Sequence, residues 1–383
     1  MSPGKLVIAS GGTAGHINPA LAVAAELERL GNEVLFVGST GGMEERLARQ
    51  AGLVYRSFDA KGFDRQKPWT LLSSSLVLAR STNKARSWLK EIDARGVAAF
   101  GGYVSVPVGR AAAQEKIPLL IHEQNSHMGW SNKHLSPHAD VIALTYEAAQ
   151  DGLAAEPLGR VRITGNPVRP EFAALANAQK AADLRRGLRQ ELGFGEDDLM
   201  LLVFGGSQGA RHINQAVVAL APELMKRPSL RVLQLTGPKE FESVEAALLA
   251  TLSADNLKRW QLLAFCEQMP AAFAAADLVL SRAGASSLAE LAVAAKPALL
   301  VPFPFATADH QRKNAEHLVK AGAATMLPDS ELESARFSET LLSMIDNQAL
   351  RLDMLKVAQK LTQADAAQQV AELLLRVSRG RGI

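Results

Sequence analysis

Two distant stretches of this chain open in the same way, and that repetition limits the fold more than any other feature. GGTAGHIN occupies 11–18 and GGSQGARHIN occupies 205–214. Each follows a short apolar run without alternation, Lys5–Ser10 (KLVIAS) and Leu199–Phe204 (LMLLVF). Such runs are strands covered on both faces. After the first loop, Asn18-Pro19 reads as N-cap and first helical residue, Ala20, Val23, Ala24 and Leu27 form a helical stripe, and Gly31 ends it. Val34–Val37 is the next strand. Strand, glycine loop, helix, strand opens a doubly wound sheet, and its recurrence predicts two domains of one architecture. A length of 383 residues suits two such cores.

A third strand-to-helix passage is chemically the most pointed. Leu278–Leu280 runs into SRAGASSLAELAVAAKP at 281–297, where Leu288, Leu291, Ala292 and Ala295 make a core stripe and Lys296-Pro297 closes the helix. Ser286 and Ser287 stand where an N-cap belongs. Two readings follow. Ser287 and Glu290 form a capping box that only satisfies backbone groups; or the helix start is an anion site, with Glu290 accepting from a polyol.

Composition removes several function classes. With 48% hydrophobic and 21% charged residues the chain is globular. A formal charge of +3 is too small to point to nucleic acid. Cys266 is the only cysteine, so no internal disulfide or thiolate cluster is expected. No signal peptide and no membrane span is legible, and a reducing, cytosolic compartment is expected.

The remaining landmarks lie between these passages. From Ala60 to Arg95, Lys61, Arg65, Lys67, Arg80, Lys84, Arg86 and Lys90 interleave with Phe63, Trp69, Leu72, Trp88 and Leu89. That pattern fits either a surface for anionic lipid or an ordinary amphipathic helix. Val97–Gly102 is a strand leading to Tyr103, and Pro118–Ile121 is a strand ending at His122-Glu123-Gln124-Asn125, where ligands of open α/β sheets bind. Gly165–Pro170 reads as a rigid linker, and Arg351–Val377 as one long amphipathic helix able to pack back across both domains.

Glycine and serine loops at several strand ends imply an interdomain cleft for a phosphorylated ligand. No G-x-x-x-x-G-K-[ST] occurs, which removes P-loop enzymes, and no Asp-x-Asp occurs to hold a divalent metal at a diphosphate. Helix ends and loop N–H groups are then expected to neutralise it. His16, at a helix start, is the candidate general base, its alternative being a bond to nearby backbone. Glu123 is a second base, an acceptor-orienting carboxylate, or a cap. Asn125 and Gln311 suit sugar hydroxyls, and Arg169 a phosphate or a linker tether.

Together these motifs resemble the peptidoglycan N-acetylglucosaminyltransferases that convert lipid I to lipid II. The likeness rests on Gly11–His16 with Pro19, GGYVSVP at 101–107, His122–Asn125, Gly165–Arg169, GGSQGA at 205–210, Ser281–Leu291 and Asp309-His310-Gln311 with Asn314-Ala315. The resemblance implies a GT-B type α/β fold, two doubly wound (Rossmann-like) domains facing across a deep cleft. Residues 1–166 would form an acceptor and membrane-docking domain, 167–360 the UDP-sugar donor domain, and 361–383 a helix returning toward the first. It implies an inverting, metal-independent hexosyltransferase without cofactor, with UDP-GlcNAc, polyprenyl-linked lipid I and an anionic membrane surface as partners, at the cytoplasmic face of the membrane.

By position, Ala285, Ser286, Ser287, Leu288, Ala289 and Glu290 would hold the nucleotide, Glu290 taking the ribose. Ser207 would take the phosphate region and Cys266 the uracil pocket. Asn125 and Gln311 would bind the donor sugar, Arg169 would complete its site, and Thr13, Ala14 and Gly15 would lie against the diphosphate. His16 would deprotonate the acceptor hydroxyl, while Tyr103, His122 and Glu123 would line the acceptor cleft. Ala14 and Cys266 depart from the family's commoner residues, glycine and an aliphatic. Transfer to another lipid, or a UDP-sugar epimerase of the same architecture, is the alternative activity.

Overall fold

The computed structural model describes residues 4–59, 70–153, 159–206 and 209–380, and the side chains of these except 70–76 and 307. The chain divides into one unit of Met1–Pro170 with Asp365–Ile383, and a second of Glu171–Ala364.

The first unit is built on seven parallel strands: β1 (Lys5–Ala9), β2 (Val34–Ser39), β3 (Val54–Phe58), β4 (Ala94–Ala99), β5 (Leu119–Glu123), β6 (Val141–Leu144) and β7 (Val161–Ile163). Their order is β3-β2-β1-β4-β5-β6-β7. Side chains alternate between two cores: Leu6 and Ile8 enter one with Ile17, Val23 and Leu27, while Val7 and Ala9 enter the other with Val108 and Ile121. Both faces are covered, which is why these strands read as continuous apolar runs. β3 and β7 escape that signal: VYRSF is an edge strand with polar positions, and VRI is too short.

The second unit repeats the plan with six parallel strands: β8 (Leu199–Phe204), β9 (Leu230–Leu235), β10 (Trp260–Leu263), β11 (Leu278–Ser281), β12 (Ala298–Leu300) and β13 (Ala324–Met326), ordered β10-β9-β8-β11-β12-β13. Leu201, Val203, Leu278, Leu280, Ile213 and Val217 belong to one core. On the other face Phe204 packs edge-on to Phe273, and Phe273 to Phe172.

Three expectations about helices need correction. The first helix spans Ala14–Arg29, with Thr13 as N-cap and Pro19 inside it, rather than starting at Asn18-Pro19. Pro19 has no N–H, so the Gly15 carbonyl loses its helical donor, yet the turn before it is helical and carries Gly15 and His16. The tail is not one helix: Gln348–Lys360 ends before Ala366–Ser378 begins, and only the latter joins the first unit, burying Val370, Ala371, Leu374 and Leu375 beside Leu6 and Ala98. In the helix Thr70–Glu91, Trp88 and Leu89 are core residues, and Arg86 and Lys90 pair with Glu115, so only part of the basic-aromatic pattern is outward-facing. Residues 60–69 of that pattern lie outside the described residues. Among the described residues no helix is long and apolar enough to cross a membrane.

Candidate active site

In each sheet the strand order reverses direction once, between β1 and β4 and between β8 and β11. Loops leaving the carboxyl ends of such neighbours diverge to opposite faces and leave a crevice, where ligands of doubly wound sheets bind. The glycine motifs of the sequence sit on these ends: 10–13 and 100–104 in the first unit, 205–206, 209–210 and 282–284 in the second.

In the first unit the two loops meet backbone to backbone. A Cβ at Gly102 would lie 2.3 Å from the Gly11 carbonyl oxygen, and one at Gly101 would lie 2.9 Å from the His16 ring. Both glycines have positive φ, which a side chain would strain further. The half-buried imidazole of His16 therefore rests on the 101–102 loop. Its Nδ1 lies 3.4 Å from Thr13 Oγ1, and its backbone N–H donates to the Thr13 carbonyl. Thr13 makes no side-chain cap, so the N–H groups of Ala14 and Gly15 in the first turn receive no acceptor from it.

The end of β5 differs from expectation. His122 and Glu123 are fully buried rather than lining an open surface. His122 Nε2 donates to the Gly165 carbonyl (3.0 Å), Nδ1 accepts from Gln124 Nε2 (3.2 Å), and the ring stacks on Phe100. Burial pushes the His122 imidazole down to about 4, so it is neutral in the fold. Glu123 is saturated: Oε1 accepts from the N–H and Nδ2 of Asn125 (3.1 Å each), and Oε2 from Gly129 N and Asn132 Nδ2 (2.9 Å each). A carboxylate holding four donors organises the loop after β5. Tyr103 does face outward, 47% exposed, with its ring 5.9 Å from Trp130, which stacks on His134. Arg169 is half-buried just before the turn Pro170–Ala173.

In the second unit the helix Ala285–Ala294 starts at N-cap Gly284 with no side-chain cap. Ser286 and Ser287 lie inside its first turn, so neither is the N-cap and the expected capping box is not built. Ser286 Oγ is buried without a hydrogen-bond partner. Uncapped first-turn N–H groups beside an unpartnered hydroxyl make a donor-rich, dipole-positive pocket for an oxyanion. Leu288 and Glu290 are buried on the same helix, while Ala289 is half-buried.

Gln311 Oε1 accepts from Ala283 N (3.2 Å) and Phe303 N (2.9 Å), pinning the loops after β11 and β12 together. Gly209 presses on the end of β9, where a Cβ would meet the Thr236 carbonyl at 2.2 Å. Ser207 lies outside the described residues. Cys266 is buried, and burial pushes its thiol up, so it acts as a small packing group; its neighbour Phe265 is 60% exposed.

Sequence reasoning missed one arrangement here. Arg282, buried beyond β11, donates to the carbonyls of Val301 and Pro302 and pairs with Asp329, which also binds His212 Nδ1 at 2.7 Å. Burial alone would raise the Asp329 carboxyl, but its bonds to His212 and Arg282 hold it below the usual range. The one available signal was an arginine set among small residues at a strand end. Among the described residues no group of three or more His, Cys, Asp or Glu side chains converges as a metal site.

Comparison with known proteins agrees with this layout. Residues 6–144 match the glycosyltransferase family 28 N-terminal domain, and residues 200–370 its C-terminal domain. A UDP-N-acetylglucosamine–N-acetylmuramyl-(pentapeptide) pyrophosphoryl-undecaprenol N-acetylglucosamine transferase from Carboxydothermus hydrogenoformans is 37% identical, covering 97% of this chain and 96% of its own. The crystal structure of Acinetobacter baumannii MurG superposes with a TM-score of 0.76 at 29% identity, covering 98% of this chain and all of that one. A UDP-GlcNAc 2-epimerase from Neisseria meningitidis reaches a TM-score of 0.68 at 14% identity over 97% of this chain and 100% of its own, a likeness of fold alone.

Proposed function

The chain belongs to glycosyltransferase family 28 and, within it, to the UDP-N-acetylglucosamine–N-acetylmuramyl-(pentapeptide) pyrophosphoryl-undecaprenol N-acetylglucosamine transferases, and on that premise we propose how its residues divide the reaction. The enzyme moves N-acetylglucosamine from UDP-GlcNAc to the 4-hydroxyl of the muramoyl sugar of lipid I, giving lipid II for peptidoglycan. Identity of 37% over 97% of the chain to a named transferase carries this reading.

The unit Glu171–Ala364 takes the donor. First-turn N–H groups of Ala285–Ala294, with the hydroxyls of Ser286 and Ser287, receive the diphosphate together with Ser207, and Glu290 receives the ribose. The small side chains Ala285 and Ala289 let the nucleotide approach, and Leu288 and Cys266 pack behind it. Gln311 and Asn125 meet the donor sugar, and Arg169 adds charge. The first unit takes the acceptor, with Tyr103 at its surface and the uncapped start Thr13-Ala14-Gly15 facing the leaving group. His16 accepts the proton of the muramoyl hydroxyl as its oxygen bonds to the anomeric carbon. The bond from that carbon to the diphosphate breaks on the opposite side, and UDP leaves with the electron pair, so configuration inverts. His122 and Glu123 act indirectly, by fixing Gly165, Asn125 and Gly129.

The enzyme works peripherally at the cytoplasmic membrane face, where the exposed cations Arg80 and Lys84 face anionic lipid. Purified protein given UDP-GlcNAc and, separately, a lipid I analogue or a diacylglycerol tests the reading. A β-linked disaccharide product only from the lipid I analogue is expected; transfer to diacylglycerol, or epimerised UDP-sugar without acceptor, contradicts it.

A further inference from the structure

The opposite edge of the second sheet carries a feature the transfer reaction does not use. Between the amino ends of β8, β9, β11 and β12 and the helix Gln348–Lys360 lies a cavity of about 600 Å³. That size is ordinary for a small-molecule site and too large for a bare inorganic ion. One wall is apolar, with Leu199, Leu230, Ile345 and Leu355.

The deep wall is basic. Arg185, Lys296 and Arg351 line it, and fully buried Arg189 stands behind. Two of these cations meet one carboxylate: Asp277 pairs with Arg185 at 2.9 Å and Arg189 at 2.6 Å, and also accepts from Met200 N. Lys296 Nζ donates to the Ala274 carbonyl at 3.0 Å. The other acids of the lining are engaged or at the rim: Asp198 pairs with Arg231, Asp346 with Arg227, and Glu196 and Asp197 are exposed. Arg351 donates to the carbonyls of Met344 and Ile345, Arg185 to that of Ala275, and Arg189 to those of Gly195, Ala275 and Asp198. Carbonyls satisfy these donors without neutralising their charge, so on the inner wall four cations stand beside one carboxylate, which is unfavourable. Burial accordingly pushes the Lys296 ammonium down to about 8 and lowers Arg189 and Arg351, although Asp277 pulls all three back up.

We propose that this cavity binds a phosphorylated small molecule, its phosphate on Arg185, Lys296 and Arg351 and its apolar body against Leu199, Leu230 and Ile345. A dianion matches the excess of positive charge, and arginine forks suit phosphate oxygens.

Thermal unfolding at pH 7 with inorganic phosphate as the probe tests the assignment in wild type, Lys296→Met and Arg351→Gln. Phosphate bound at loops on the far edge of the sheet, and its general salting effect, contribute equally to all three proteins. Phosphate is expected to raise the Tm of wild type, with at least half of the gain lost in each variant. Without phosphate, Lys296→Met is expected to unfold no lower than wild type, because it removes an undercompensated charge while keeping volume. Equal phosphate shifts in all three proteins would overturn the proposal. So would a Lys296→Met protein less stable than wild type without phosphate, since the lysine would then be satisfied by the chain itself.

Discussion

At the scale of single residues, the histidine and the carboxylate that the sequence offered as bases separate by environment. His16 is half-buried on a helix start, its imidazole resting on Gly101, whereas Glu123 has both oxygens filled by loop donors. His16→Ala is expected to lower kcat by about 10²–10⁴-fold with UDP-GlcNAc binding intact, read by steady-state kinetics beside donor titration. Glu123→Gln turns acceptor oxygens into a mismatched amide and is expected to cost roughly 1.5–3 kcal/mol in urea unfolding, any activity loss following that instability. A large drop in kcat with unchanged stability would restore Glu123 as a base.

His122 adds a pH dependence. Its folded value of about 4 lies below the unfolded ~6.5, so between those limits only the unfolded chain gains the proton. Stability is therefore expected to fall by up to roughly 3 kcal/mol as pH drops from ~6.5 to ~4, and His122→Gln to flatten that slope in urea midpoints measured across the window. The identities of these residues were legible in the sequence. Their burial was not, because a strand end written His-Glu-Gln-Asn looks the same whether its side chains meet solvent or a loop folded back over them.

At the scale of elements, the proposed binding chemistry rests on helix starts, and here local sequence rules misled. Ser287-x-x-Glu290 fits a capping box, yet the helix begins at Ala285, so the serines stand inside its first turn. Asn18-Pro19 fits an N-cap and first residue, yet packing of Ile17, Ala20 and Val23 on β1 carries the helix back to Ala14. In both cases tertiary packing lengthened the helix toward the sheet and placed small or polar residues at its mouth. The difference is measurable. A capping serine replaced by alanine costs about 1 kcal/mol, whereas Ser286→Ala is expected to stay within about 0.5 kcal/mol of wild-type stability while raising KM for UDP-GlcNAc. Urea unfolding together with donor kinetics separates the two roles.

At the scale of the whole molecule, the two doubly wound sheets were legible because their strands are apolar on both faces, and the paired glycine openings marked the same site in each. The strand orders were not legible: pairing β1 with β4 and β8 with β11 depends on crossovers that leave no local trace. Those pairings make glycine loops into crevices. The tail's division was also hidden, since Leu and Ala periodicity runs almost unbroken through Leu361–Asp365.

In the proposed reaction, backbone N–H groups at helix starts, rather than a divalent cation, neutralise the departing UDP. The most direct test follows radiolabelled N-acetylglucosamine from UDP-GlcNAc into a lipid I analogue with EDTA in excess. Transfer at an undiminished rate under chelation, lost in His16→Ala, is predicted. Abolition by EDTA with recovery on adding magnesium would contradict it.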